Sequence, residues 1–228
     1  MKHFFITGTD TEVGKTFVAC ALMAALCARG IRVAPLKPVA AGTIVQNGSA
    51  RNEDVHALLA VYGAPIDAAL VNPYCFADPI APHIAALREQ RTIDLTVIDR
   101  AFHKLAAAHD CVLVEGAGGF LVPLSMTESM SVLPTRLGLD VILVVGMRLG
   151  CLNHALLTVE AIHARGLRLA GWVANTIDPD MACFADNVET LQRMINAPCL
   201  GVVPRMAADV RAAAQQTSTH MQIDALLN

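Results

Sequence analysis

Two lysines and two acids, Lys15, Lys37, Asp54 and Glu115, stand where anion and metal chemistry is possible. Residues 8 to 16 read Gly-Thr-Asp-Thr-Glu-Val-Gly-Lys-Thr, after an apolar stretch, His3 to Thr7, and before a helical pattern. A glycine-bearing loop that leads from a strand into a helix is a phosphate cradle. The first N–H groups of the helix have no intrahelical partner, and the helix dipole places partial positive charge there. In such a loop Lys15 reaches the outer phosphates and Thr16 offers its hydroxyl to Mg²⁺. The spacing is one residue longer than G-x4-G-K-[ST], and Thr9 stands where that pattern has its first glycine.

Glu115 closes the apolar run CVLVE and is followed by Gly116-Ala117-Gly118-Gly119. An acid at a strand end beside a phosphate loop holds Mg²⁺ directly or through water, and the glycines let backbone approach a ligand closely. Asp54 opens a helical segment; it is placed either as a dipole partner or as a second metal ligand. Lys37 interrupts an otherwise apolar strand next to Pro38. It serves either as a second cation on phosphate or substrate anion, or as a lysine snorkelling to water. The eight histidines do not cluster at ligand spacing. Ser125, Ser129 and Ser131 have no nearby base, and no G-x-S-x-G is present, so no hydrolase triad is read. From these residues alone the chain is a Mg-nucleotide enzyme or switch with a second cationic site.

The elements that must position these groups follow from hydrophobic spacing. Strands are expected at 3–7, 32–39, 111–115, 141–145, 169–175 and 200–203. Helices are expected at 14–29, 53–61, 95–108, 153–165 and 186–195. In the first helix Val18, Leu22 and Leu26 form one stripe, with Ala19 and Met23 beside it, and Gly30 is the expected C-cap. Residues 42–52 read as a polar loop. Residues 72–83 read as a loop because Pro73, Pro79 and Pro82 forbid a regular helix there. Strands alternating with helices imply an α/β fold with a doubly wound, mostly parallel sheet, and no composition break divides residues 1–228, so one domain is expected. Ligands in such sheets sit beyond the carboxyl ends of the strands.

Composition narrows the classes further. Of 228 residues, 54% are hydrophobic and 16% charged, which suits strands buried on both faces. A net charge of −3 without a basic block, and 4% aromatics, argue against nucleic acid as the main partner. No apolar run reaches the roughly 18 residues of a membrane span, and the N-terminus lacks a signal-peptide layout, so a cytoplasmic protein is expected. The seven cysteines (20, 27, 75, 111, 151, 183 and 199) are scattered without C-x-x-C, and no disulfide or metal role is assigned to them.

Taken together the residues resemble the dethiobiotin synthetases, the ATP-dependent ligases of biotin synthesis. The resemblance rests on residues 8–16, Lys37-Pro38-Val39, Asn72-Pro73-Tyr74, Pro82-His83, Val114 to Gly119, Leu149-Gly150-Cys151-Leu152-Asn153-His154-Ala155 and Gly171-Trp172-Val173-Ala174-Asn175, and covers most of the chain. The longer phosphate loop is one that this family shows. The resemblance implies a homodimer of P-loop type that closes the ureido ring of dethiobiotin from 7,8-diaminononanoate, CO₂ and ATP. It implies a carbamate on one amine, a mixed carbamic–phosphoric anhydride after attack on the γ-phosphate, and ring closure by the second amine. It assigns the phosphates to Lys15 and the backbone of Glu12, Val13, Gly14, Thr16 and Phe17, and Mg²⁺ to Thr16, Asp54 and Glu115. Lys37 would lie against carbamate and γ-phosphate, and Thr11 would place the diamine. Further nucleotide contacts implied are Gly116, Ala117, Gly118, Asn175, Thr176, Pro204, Arg205 and Met206. Gly150, Cys151, Leu152 and Asn153, at a helix start, would receive the substrate's carboxylate tail across the subunit interface. The chain departs from the family at Ala41, where a hydroxyl residue is usual, and Thr43 is a candidate to compensate. Beyond Arg211 the match is weak.

Two other classes share the fold. A partitioning-type ATPase carries an additional lysine near the start of its phosphate loop, which this loop lacks. The synthetase part of a glutamine-dependent amidotransferase would come with a glutaminase region, for which the chain is too short.

Overall fold

The structure, a computed structural model, describes residues 2–46, 49–205 and 210–227, with 45, 46, 49 and 50 described by backbone only. In chain order the elements are β1 (Phe4–Gly8), α1 (Lys15–Ala28), β2 (Val33–Leu36), β3 (Val39–Ala41), β4 (Ile44–Gln46), β5 (Ser49–Arg51), α2 (Glu53–Tyr62), α3 (Ala68–Val71), β6 (Tyr74–Phe76), α4 (Pro82–Arg88) and α5 (Leu95–Ala108). Then come β7 (Cys111–Gly119), α6 (Val132–Leu137), β8 (Asp140–Met147), α7 (Cys151–His163), β9 (Leu169–Thr176), α8 (Phe184–Met194), β10 (Cys199–Val203), α9 (Val210–Ser218) and α10 (Asp224–Leu227).

Six strands form one sheet in the order β10-β9-β8-β1-β7-β2, and every neighbouring pair is parallel. The alternation of side chains divides the core in two. Phe4 and Ile6 of β1 join Cys111 and Leu113 of β7 on the face covered by α1, while Phe5 joins Val112 and Val114 on the opposite face. With both faces covered, the strands read as unbroken apolar runs, as the composition predicts. β1 lies between β7 and β8, so the loop leaving its carboxyl end opens where the connections diverge to either side, the crevice used by ligands in open α/β sheets.

Several elements differ from the sequence reading, each for a physical reason. Helix α1 is buried nearly all round rather than on one stripe: Cys20, Ala21 and Ala25 are buried along with Val18, Leu22 and Leu26. Its outer side is covered by α2 and by α9, which buries Ala213 and Ala214. The expected strand 32–39 breaks at Lys37-Pro38. Proline has no N–H for a ladder, and the Lys37 N–H donates to the Val71 carbonyl instead (2.7 Å). The chain resumes as β3, which pairs in parallel with β6, inside the segment expected to be a proline-rich loop. Pro82 does not prevent a helix; it takes the first turn of α4, where its missing N–H costs nothing. The polar 42–52 stretch holds a short antiparallel pair, β4 with β5. Helices α7 and α8 begin two residues earlier than expected.

The strand carrying Glu115 does not stop there but runs to Gly119. Its register against β1 slips between Ile6↔Glu115 and Gly8↔Gly119, so residues 116–118 bulge out of the ladder, with Gly118 at φ +64°. The bulge bends the backbone just past Glu115 and turns the Gly116 carbonyl to the site.

The packing is close where β9 meets β10. A Cβ on Gly171 would lie 2.7–2.9 Å from three side-chain carbons of fully buried Leu200. Gly171→Ala is expected to lower stability by ~1–3 kcal/mol through overpacking, read as a lower urea midpoint at unchanged m-value. An unshifted midpoint would show that Leu200 repacks freely.

Candidate functional site

The phosphate loop is shaped by two left-handed residues, Glu12 at φ 59° and Gly14 at φ 84°. A side chain at Gly14 would collide with the Asn175 amide, so glycine is required there by space as well as by φ. Asn175, at the end of β9, donates Nδ2 to the Val13 carbonyl (2.8 Å) and is 7% exposed. Val13 contributes its side chain to the core, packed against Gly146, leaving only backbone to the loop's open side. The Val18 N–H is the first to close a helical bond, onto the Gly14 carbonyl (3.0 Å). The Lys15, Thr16 and Phe17 N–H groups therefore precede the helical ladder and remain for an anion.

Lys15 is 6% exposed, and its Nζ donates to the Asp10 carbonyl (3.0 Å). Burial and the nearby Lys37 charge lower its pKa to about 8, against the opposing pull of Glu115, Asp54 and Asp10. A triphosphate would supply the counter-charge that this lysine lacks.

Opposite the loop lies an ionic cluster in which Lys37 and Glu115 are buried and the Asp54 side chain is 45% exposed. The Lys37 Nζ, at the end of β2, donates to Glu115 Oε1 (2.6 Å), Asp54 Oδ2 (2.8 Å) and the Gly116 carbonyl (3.3 Å). Its backbone is fixed on both sides, by the N–H bond to Val71 and by Asn72 Nδ2 donating to its carbonyl (2.6 Å). The side chain does not snorkel: it is 3% exposed. Thr16 Oγ1 donates to the same Glu115 oxygen (2.7 Å). Asp54 is carried by the first turn of α2, which is capped by Asn52 accepting from the Val55 N–H (3.2 Å). Burial works against the Lys37 charge, but Glu115 and then Asp54 outweigh it and hold the ammonium above its ordinary pKa. Burial would raise Asp54, but the charge of Lys37 prevails and holds its carboxyl below the usual range.

Glu115 is 1% exposed, and its second oxygen, Oε2, has no hydrogen-bond partner. A buried carboxylate oxygen without a donor is costly and fits a site that receives one more cation. The donors gathered here, two carboxylates and a threonine hydroxyl, are hard oxygens suited to Mg²⁺, which prefers a few such ligands plus phosphate and water. Among the described residues there is no cluster of three or more histidine, cysteine or acidic side chains, so a metal held by protein alone is not supported.

These groups line a cavity of about 670 Å³. It brings together Thr11, Glu12, Gly14, Lys15, Thr16, Lys37, Ala41, Asp54, Glu115, Ala117 and Gly118 from the sequence reading. Its far wall was not anticipated: Ala40, residues 79–82 (Pro-Ile-Ala-Pro), Val122 and Pro123. The proline density of 72–83 was the available signal, since prolines rigidify a wall as well as break helices. Thr43 is not on the lining; the hydroxyl residues that are on it are Thr11 and Thr16. Phe17, Gly116, Thr176, Pro204 and Arg205 lie outside the lining as well, and Met206 falls outside the described residues. Arg205 donates to the Ile177 carbonyl (3.4 Å), on the β9 side of the loop.

Gly150 to Asn153 are not part of that cavity. Gly150, at φ +95°, is the N-cap of α7; Cys151 is buried and Asn153 exposed. Leu149, next to them in the chain, is 95% exposed, and Leu157 on α7 and Leu121 are about half exposed at 56% and 49%. Leu121 and Leu157 border a second hollow of about 450 Å³, which Thr11 joins to the first.

An all-parallel sheet with a phosphate loop between its first strand and first helix, facing an acid from the adjacent strand, defines a P-loop nucleotide-binding fold. Solved structures agree on the fold alone. The Pyrococcus furiosus cell division ATPase MinD matches with TM-score 0.57 at 18% identity over 99% of this chain and 100% of that one. The Mycobacterium smegmatis cobyrinic acid a,c-diamide synthase matches with TM-score 0.51 at 17% identity over 96% and 93%. Residues 2–212 match the family model described as an AAA domain. The ATP-dependent dethiobiotin synthetase BioD of Ralstonia nicotianae is 49% identical over 98% of this chain and 96% of its own length, and that of Aromatoleum aromaticum 54% over 90% and 92%. The chain belongs to the dethiobiotin synthetase family and is a ligase. Among the described residues no helix is long and apolar enough to cross a membrane.

The depressed pKa of Lys15 has a measurable consequence. Below pH 8 its ammonium is charged; above it, the free protein loses that proton, while bound phosphate favours the charged form. Nucleotide binding at pH 8–9 is therefore expected to take up protons, and affinity to fall as pH rises through about 8. Calorimetry in buffers of different ionisation enthalpy reads the uptake, and Lys15→Met should abolish it. Uptake persisting in Lys15→Met would place the titrating group elsewhere.

Proposed function

We propose that this chain forms dethiobiotin from 7,8-diaminononanoate, CO₂ and ATP, releasing ADP and phosphate, as a cytoplasmic homodimer in biotin synthesis. The observation that carries this reading is the Lys37 ammonium, buried between Asp54 and Glu115 and lining one cavity with the phosphate loop. The family relationship supplies the substrates, and the cavity supports them: a charged floor suits phosphates and carbamate, and a wall of alanine, proline and isoleucine suits an alkyl diamine.

Phosphoryl transfer is mainly positioning and charge stabilisation. Lys15 and the N–H groups at the start of α1 would hold the outer phosphates. Mg²⁺, held by Thr16, Asp54 and Glu115, would neutralise developing charge on the β- and γ-phosphates. Lys37 would exchange its acid partners for the substrate anions, letting the carbamate oxygen approach the γ-phosphate despite their repulsion. Thr11, between the two hollows, would orient the diamine. The second amine would then attack the carbamoyl carbon of the mixed anhydride and expel phosphate. The exposed leucines around Gly150–Asn153 would meet the partner subunit, and the α7 N-terminus would take the carboxylate tail.

The decisive test supplies diaminononanoate, bicarbonate and Mg-ATP and looks for dethiobiotin by mass spectrometry; no ring product would reject the reading. Lys37→Gln is expected to lose kcat by ~10²–10³-fold, the scale of removing one charge-stabilising donor, with ADP affinity nearly unchanged. Equal losses in both would make Lys37 a binding residue only. Ala41→Ser is expected to lower the diamine KM ~2–10-fold by restoring one hydrogen bond; an unchanged KM would place that hydroxyl away from the diamine.

A further inference from the structure

The phosphate loop carries an acid, Asp10, in the stretch that makes it longer than the general pattern. An acid in an anion-binding loop is a liability unless something cancels it. Both of its carboxylate oxygens are engaged. Oδ1 accepts the Thr11 N–H (2.7 Å), and Oδ2 accepts from Arg148 Nη2 (2.6 Å). Its carbonyl oxygen receives the Lys15 ammonium (3.0 Å). Arg148 comes from the corner between β8 and α7, where its own carbonyl accepts the Cys151 N–H (3.0 Å). The loop's start is tied to β8 too, by the Thr9 N–H on the Val144 carbonyl (3.0 Å) and the Gly146 N–H on Thr9 Oγ1 (3.4 Å).

We infer that Arg148 is a positioning residue for the phosphate loop: paired with Asp10, it cancels that acid's charge toward the nucleotide and fixes the extra residue that sets Thr11 and Lys15. The Thr11 N–H and the Lys15 ammonium both bond to Asp10, so a shift of this one residue moves the two groups assigned to diamine and phosphate. The arginine works through Asp10 and touches no reacting atom. It lies beside Leu149, so the same corner joins the loop to the proposed subunit contact. This inference rests on the reading of residues 8–16 as the nucleotide site.

The pair is about half exposed, at 43% and 46%, so its contribution to global stability is small and the test is one of charge. Mg-ADP binding is measured by calorimetry for wild type, Arg148→Met, Arg148→Lys, Asp10→Asn and the Asp10→Asn/Arg148→Met double variant, with thermal midpoints as a check on folding. Arg148→Met leaves Asp10 uncompensated and is expected to weaken ADP binding ~5–10-fold at low salt, with the gap closing in 0.5 M NaCl. Arg148→Lys should bind nearly as wild type. The double variant should regain most of the loss, because the repelling acid is gone. Wild-type affinity in Arg148→Met would show the pair to be idle. A double variant as weak as Arg148→Met would show the arginine acting on nucleotide directly, and either result overturns the inference. A wild-type protein that binds no ADP would instead overturn the reading of the nucleotide site.

Discussion

A carboxylate sealed inside a protein must be answered by positive charge, and Glu115 is the group that imposes this on the site. It is 1% exposed on a central strand, next to a phosphate loop. Removing such a charge from water costs several kcal/mol, and the fold meets that cost with two donors on one oxygen, Lys37 and Thr16. The other oxygen is left unanswered. The asymmetry makes sense for a site that exchanges cations. One oxygen keeps the cluster together, and the other is ready for an additional positive partner.

Much of the neighbouring structure follows from bringing Lys37 to that acid. A lysine at the end of an apolar strand can turn inward only if the strand stops, and Pro38 stops it. The freed N–H and carbonyl of Lys37 must then be satisfied, and Val71 and Asn72 do so. Their segment continues into β6, which pairs with β3, and the chain after it supplies the proline wall of the cavity. One break in a strand thus places a catalytic candidate and builds the surface facing it.

The chemistry-bearing residues were legible because each sits at a break in a strong local pattern: the glycine loop after β1, the acid after CVLV, the lysine inside RVAPLKPV. Periodicity placed β1, β8, β9 and β10 and the long helices α1, α2 and α5 to within a residue or two, while β2 stops three residues short of its expected end and β7 runs four past it. It misjudged what depends on partners distant in sequence. Burial of α1 on nearly every side needs α9, almost two hundred residues on, and no window around α1 contains that information. β3 and β6 are three-residue strands, too short for any pattern, and exist because each supplies the other's hydrogen bonds. The extension of β7 to Gly119 passes through a glycine-rich bulge that reads as a loop in isolation. The Asp10–Arg148 contact spans 138 positions and leaves no trace in either neighbourhood.

The cavity's two halves divide the work according to how each kind of interaction responds to water. The charged floor, from the phosphate loop, the end of β2, β7 and the starts of α1 and α2, is tied together by its own hydrogen bonds and ion pairs, and groups fixed before a ligand arrives stabilise charge without reorganisation cost. The wall, Ala40, Ala41 and residues 79–82, sets apolar side chains in the same cavity as Lys37 and Glu115, which are 3% and 1% exposed. Where Lys37 and Glu115 meet, low exposure to water strengthens their Coulomb contact. A hydroxyl at position 41 would put a polar group on that otherwise apolar wall, within the lining that Lys37 shares. Alanine there keeps the wall uniformly apolar, so the polar groups of the cavity are concentrated on the charged floor. Position 41 therefore falls on the boundary between the two halves, beside both Lys37 and the apolar wall.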